Sequence, residues 1–401
     1  HAVSDAQPVE GQCLVSGNVS QISRLQYKIK KVGGQGEAQI VAFNAPAFES
    51  YGKTQSFNAP ISEDASFRYA TALNALLDGP MSFKHRFMLG EATVVFWTGR
   101  PTATEDIFAV FLTEATTAAR LDAQDEPTRQ KLEFFLKALR KGREAYAELD
   151  AEADHIPFYL LGLTGQAQGR IGVRFFHTDR LSVLLDNLRK HHRDIAMVRR
   201  FGDDPKRPDP EFPTLRQILD ETCPRYSKGK PMRDPIPPIL EGPLLRAVIT
   251  GGQYPAGLFS TVMRRIHADR DVNYVRACII AGYLRRNLKQ EVSMSLDRES
   301  KDPAYRLGRL FAVLEKNQGD ALGTVNASIR DRFYSAASAT PGVVFPRLRR
   351  TSQHHLGKLS VGLKIARERL VQDILAPITE LPTHLSLAEQ GQFALGYYHQ
   401  A

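Results

Sequence analysis

Cysteine is scarce in this chain. The three present, Cys13, Cys223 and Cys278, stand far apart, with no C-x-x-C spacing and no even framework. That excludes a disulfide scaffold and the usual zinc patterns, and leaves reduced thiols. Long apolar runs are also lacking, so no membrane partner is expected. No secretory signal pattern is visible, and the reading is a cytoplasmic protein. There is no phosphate loop of the Gly-x-x-x-x-Gly-Lys-Ser/Thr type, no His-Glu-x-x-His and no Gly-x-Ser-x-Gly elbow. The acids are scattered over polar faces and loops and do not group as a two-metal nuclease centre. The expectation is no catalytic residue, no metal and no cofactor, that is, not an enzyme.

What the chain does have is positive charge. Its 401 residues carry 53 Lys and Arg against 44 Asp and Glu, a net charge of +9 and a pI near 9.4. A balance of that sign suits a polyanionic partner, most simply nucleic acid, or else an inert basic surface. The hydrophobic fraction of 42% is that of an ordinary globular protein, and the length suits two or three domains.

Residues 1–36 are polar and irregular, with Arg24, Lys28, Lys30 and Lys31 around Tyr27. Such a cluster suits a phosphate backbone or a solvated charged turn. Gln39–Phe43 reads as a short strand. Then Phe43-Asn-Ala-Pro46 and Phe57-Asn-Ala-Pro60 repeat as loop entries around a polar tip at Tyr51, Gly52 and Lys53. Asn44, Lys53, Gln55 and Asn58 could meet base edges or phosphates, or the asparagines could cap turns. A helix over 63–77 packs Phe67, Ala70, Leu73 and Leu77. Ala92–Trp97 reads as a strand, 127–148 as an amphipathic helix, and Phe158–Leu163 with Arg170–Phe176 as a hairpin. A helix over 180–200 places His191 and His192 on its polar face. Proline and charge mark 203–213 and 226–238 as loops, with a short helix at 214–221 between them.

After Pro238 the pattern is wholly helical, with arginines placed on outer faces. Arg264 and Arg265 sit on a helix over 255–268; Arg276, Arg285 and Arg286 on one over 272–289. Asp302 is an N-cap and Pro303 a first-turn residue for a helix burying Leu307, Leu310, Phe311 and Leu314, with Arg306 and Arg309 off that stripe. The next helix turns Val325, Ile329 and Phe333 inward and Arg330 and Arg332 elsewhere. Between Pro341 and Arg369 lie Arg347, Arg349, Arg350, Lys358, Lys364, Arg367 and Arg369 against the single acid Glu368, with His354 and His355 among them. The helix over 364–377 buries Ala366, Leu370 and Ile374, and Ser386-Leu-Ala-Glu389 is a capping box opening the last helix. The fold class is α+β: a mixed domain over 1–200 with a small antiparallel sheet, loops over 201–238, and a helical bundle over 239–401.

Several motifs carry a resemblance. They are Arg306-Leu-Gly-Arg-Leu-Phe-Ala-Val-Leu-Glu315, Asn326-Ala-Ser-Ile-Arg-Asp-Arg332, Ala336-Ala-Ser-Ala-Thr-Pro341, Phe345-Pro-Arg-Leu348 and Gln353-His-His-Leu356. Phe43-Asn-Ala-Pro-Ala-Phe-Glu-Ser-Tyr-Gly52, Thr93-Val-Val-Phe-Trp97 and Gly396-Tyr-Tyr-His-Gln400 extend it along the chain. On these the chain resembles the large subunit of the type I-C CRISPR Cascade surveillance complex. The resemblance implies a further N-terminal domain ahead of this segment, and family members continue past the Tyr-Tyr-His-Gln motif. It implies partners: CRISPR RNA, target double-stranded DNA, the backbone, guide-capping and small subunits, and a helicase–nuclease. It implies roles: helping to read the motif beside the target, holding the opened strands and docking the nuclease. It also implies that residues 294–401 match a small subunit made from an internal start, here Met294. The alternatives are a degenerate nuclease, a general basic RNA-binding protein, or an adaptor that meets acidic protein. The candidate nucleic-acid contacts are Lys28, Lys31, Asn44, Lys53, Asn58, Arg264, Arg265, Arg285, Arg286, Arg330, Arg332, Arg347, Arg349, Arg350 and Lys358.

Overall fold

The computed structural model describes residues 8–33, 36–89, 92–101, 105, 109, 155–166, 170–200, 209–210, 213–224, 238–323 and 325–401. The helix predicted over 127–148 lies outside these residues, as does most of the loop stretches 203–213 and 226–238. The chain divides into two units, 1–185 and 186–401.

The first unit is built on the strand that the β-branched run promised. β1 (Glu10–Gln12) pairs with β2 (Val19–Gln21), and β3 (Ile29–Lys30) with β4 (Glu37–Ala38). Helices α1 (Glu63–Asp78) and α2 (Ser82–His85) follow, then β5 (Arg86–Leu89), β6 (Ala92–Thr98), β7 (Pro157–Gln166) and β8 (Arg170–Arg180). The last four form one antiparallel sheet in sequence order. Alternation sends Val95 and Leu163 toward α1, where they meet Ala70, Leu73 and Leu77. Phe96, Phe158 and Leu160, fully buried, line the other face. Gly162 sits under the Phe175 ring, whose Cζ would be 2.7 Å from any added Cβ, and the β7–β8 register shifts there. Ser62 caps α1 by accepting from the Ala65 amide at 3.2 Å.

Two expectations fail here. Phe67 is 51% exposed and meets Tyr27 edge-on at 5.6 Å, while Ser66 takes the buried position. The strand expected at 39–43 reduces to one bridge between Gln39 and Arg170.

The second unit is helical. α3 (Leu181–Ile195) crosses the division; α4 (Leu215–Asp220), α5 (Pro238–Thr250), α6 (Ala256–Asp269), α7 (Tyr274–Asn287), α8 (Pro303–Leu322), α9 (Ile329–Ala339), α10 (Pro341–Leu356), α11 (Val361–Leu375) and α12 (Leu387–Gln400) follow. α8 is its axis and packs on α9, α10, α11 and α12. Asp302 caps it through the Tyr305 amide at 2.8 Å, and Leu307, Leu310, Phe311 and Leu314 are buried as the periodicity requires. Burying each such side chain stabilises the fold by about 1.5–3 kcal/mol. Gly308 and Gly396 let the α8 and α12 backbones touch. Phe311, Tyr334, Phe393 and Tyr397 pack mostly edge-on, with centroids 5.5–6.0 Å apart. Tyr334, one residue past the expected Phe333, is the ring that turns inward; Phe333 is half-buried. On α11 only Ile374 is buried, and the expected Ala366 is exposed. The fold is α+β, a mixed first part followed by a helical bundle.

Candidate nucleic-acid interface

Four of the arginines predicted on outer faces of the bundle are inside it. Arg276 and Arg286 on α7, and Arg306 and Arg309 on α8, are buried. Arg276 bonds Glu221 at 2.7 Å, Asp269, and the Asp271 carbonyl at 2.9 Å. Arg286 bonds Asp194 at 2.6 Å and the carbonyls of Ala247 and Gly252, and its guanidinium lies over the Tyr254 ring. Arg285 donates to the carbonyls of Asp194, Ala196 and Val292. Arg306 donates to the Ser300 carbonyl and to the carbonyls of Asp373 and Ile374 that end α11. Each of these buried guanidiniums is held by carboxylates, side-chain amides or backbone carbonyls, which offset much of its desolvation. Two histidines are buried as well, by a different route: they enter as neutral rings. His191 and His192, expected on a solvated face, are buried, with His191 Nδ1 2.6 Å from the Tyr254 hydroxyl. Burial holds His191 well below its ordinary range and His192 down to about 3.

A different set of cations faces water. Ser328 and Asp331 form a capping box that opens α9. Pro341 starts α10, whose Val344, Phe345, Leu348 and Leu356 point into the bundle. That orientation leaves Arg347, Arg350 and His354 on one outer stripe, with Arg349 beside it and Lys358 just past the helix end. Arg347 lies 5.4 Å over the Phe333 ring, which joins the stripe to exposed Arg332 on α9. None of Arg332, Arg347, Arg349, Arg350 and Lys358 has an ion pair among the described residues. Their neighbours do: Arg330 pairs with Glu315 at 3.4 Å, and Arg367 and Lys316 share Asp320 at 3.1 Å.

A family model described as CRISPR-associated protein (Cas_Csd1) matches residues 2–401. The chain belongs to this family. No curated protein matches it.

Within this CRISPR-associated protein the predicted contacts divide into engaged and open residues. Lys28 lies 3.7 Å from Glu37, Lys31 pairs with Asp78, and Arg265 pairs with Asp269. Arg285 and Arg286 are structural, as above. Arg264 is exposed and donates to the Thr261 hydroxyl at 3.1 Å. In the Phe43–Pro60 loop, Asn44 and Lys53 are exposed. Asn58 is a clasp: its Oδ1 accepts from the Ser50 amide at 3.0 Å, and its Nδ2 donates to the carbonyls of Lys53 at 2.8 Å and Gln55 at 3.0 Å. It shapes the loop and leaves no amide donor over for a base edge. Among the described residues no group of three His, Cys, Asp or Glu is arranged to hold a metal ion, and no helix is long and apolar enough to cross a membrane. Two buried acids escaped the sequence reading. Glu241 is buried, and desolvation raises its pKa. Glu105 is buried beside Lys84 at 2.9 Å.

Proposed function

We propose that this chain is the large subunit of a type I-C RNA-guided CRISPR interference complex and that it binds nucleic-acid backbone without cutting it. The observation that carries the reading is the open cationic face of α9 and α10. Arg332, Arg347, Arg349, Arg350 and Lys358 have no acidic partner among the described residues, whereas Lys28, Lys31, Arg265, Arg286 and Arg330 each pair with an acid. Unpaired surface cations release counterions when they meet phosphates, which gives affinity without sequence preference. The guide reads sequence by pairing; this face holds an opened target strand; CRISPR RNA, the other subunits and the helicase–nuclease complete the assembly. The setting is the cytoplasm.

The test is Arg347→Ala, Arg349→Ala and Arg350→Ala together. Affinity for target DNA should fall alike across sequences, and the slope of log affinity against log salt should lessen by about 2–3. Loss confined to one target sequence refutes a backbone contact. Metal-dependent cleavage of DNA or RNA by the purified chain refutes the binding-only reading.

A further inference from the structure

The tightest turn of the Phe43–Pro60 loop holds a residue that folding does not explain. The Lys53 amide donates to the Ser50 carbonyl at 3.0 Å, and the two central residues, Tyr51 and Gly52, have φ of 53° and 69°. Positive φ at both is the signature of a type I′ turn, whose central positions favour Asn, Asp and Gly. Gly52 fits. Tyr51 does not: a side chain with a Cβ held in the left-handed region is strained. The ring is 98% exposed, and none of the described residues offsets that strain through it. The strain is also held firmly. Asn58 clamps both ends of the turn, Gln55 has φ of 47°, and Glu49 Oε1 accepts the Gln55 amide at 3.3 Å. Lys53, two residues on from Tyr51, is exposed on the same turn.

We propose that Tyr51 is a stacking platform for one unpaired nucleobase, with Lys53 on the adjoining phosphate. A ring with both faces bare, on a turn that cannot relax, is preorganised for a flat partner, and a neighbouring ammonium selects a nucleotide among flat partners. This inference rests on the reading of the chain as a nucleic-acid-binding protein. It places a base contact at a site distinct from the phosphate-binding face of α9 and α10.

The test uses the full chain with a fluorescently labelled single-stranded DNA oligonucleotide and its RNA counterpart, with the triple arginine variant alongside. Tyr51→Ala should weaken binding by about five-fold or more, as expected for losing one stacked base. Tyr51→Phe and Tyr51→Trp should bind within about two-fold of the parent, because each keeps a π face. Lys53→Ala should lessen the salt slope by about one. The melting temperature of Tyr51→Ala should not fall. DNA and RNA responding alike would make the base face the ligand; a loss for one only would place the contact on that nucleic acid, still through the ring.

Equal loss in Tyr51→Phe and Tyr51→Ala would mean a hydroxyl contact and overturn stacking. Unchanged oligonucleotide affinity in Tyr51→Ala, with the triple arginine variant weakened, would overturn this inference alone. Unchanged affinity with lost assembly onto the other subunits would assign the tip to a protein groove and overturn it as well. A parent chain that binds no oligonucleotide overturns both this inference and the function proposed above.

Discussion

Replacing Gly308 by Ala should destabilise the helical unit strongly, although alanine is the better helix former. A Cβ at Gly308 would collide with the Phe393 carbonyl oxygen and lie 2.8 Å from the Tyr397 nitrogen. The contact is reciprocal: a Cβ at Gly396 would collide with the Tyr305 carbonyl oxygen and lie 2.8 Å from its carbon. These obstacles are backbone atoms of α8 and α12, which cannot swing aside as a flexible side chain can. The helices would have to part by on the order of 1 Å, and a gap of that size forfeits a quarter to a half of the dispersion attraction along the seam. Leu307, Phe311, Phe393 and Tyr397, all buried, line it. Overpacking of this kind costs about 1–3 kcal/mol or more, while Gly→Ala in a helix returns only about 0.5–1 kcal/mol. The control is on the same helix: Gly319 has nothing within 4 Å of an added Cβ, so Gly319→Ala should stabilise by about 0.5–1 kcal/mol. The helix-propensity gain is common to both, so the two alanine variants should separate by the overpacking cost, roughly 1–3 kcal/mol, or about 0.5–1.5 M in urea midpoint by circular dichroism. In the double variant Gly308→Ala/Gly396→Ala the second change should add less than it does alone, since the helices have already parted. A Gly308→Ala midpoint equal to or above that of Gly319→Ala would refute the backbone contact.

Acid should loosen the helical unit through His191 and His192. Both are held below the ordinary 6.5 by burial, so the stability they contribute is present above pH 6.5 and lost as pH falls below it, for His192 down to about 3. Each adds up to about 1.4 kcal/mol per pH unit to that slope, and urea midpoints between pH 7.5 and 5 should flatten when both are replaced by Gln. Asn58→Ala removes three bonds of the loop clasp and should make the 50–58 amides exchange faster with solvent while the melting temperature of the second unit stays put; unchanged exchange would contradict the clasp. Met294 is 55% exposed, in the segment before α8. If it starts a separate small subunit, Met294→Leu with silent recoding of codons 290–292 should delete a small band from the purified complex and leave the large subunit intact; an unchanged band pattern would end that idea.

Element positions were largely legible because helix caps and strand alternation are local. The Ser62, Asp302 and Ser386 caps, the Ala92–Thr98 strand and the hairpin after it all follow from residues a few positions apart. The candidate site was legible only in part, because a charged side chain reads the same whether it meets water or a carboxylate distant in sequence. Arg286 finds Asp194, and Arg276 finds Glu221, through contacts spanning tens of residues. One local signal was available: α7 carries Val275, Ala277, Cys278, Ile279, Ile280, Ala281 and Leu284, apolar on every side. A helix without a polar face is a buried helix, and its arginines are buried with it. Nothing comparable marked Tyr51, whose backbone strain is invisible until the turn is seen.

The glycine crossing of α8 and α12 joins residues 88 positions apart, Gly308 to Gly396. During synthesis at about 5–20 residues per second, α8 waits roughly 4–18 s for the helix that covers it. Over that interval α9, α10 and α11 can dock on α8, but the face that meets α12 lacks its partner. The bundle is therefore completed late. A pause in translation between these helices should lengthen the window in which the emerging chain needs a chaperone, while the first unit is already free to fold.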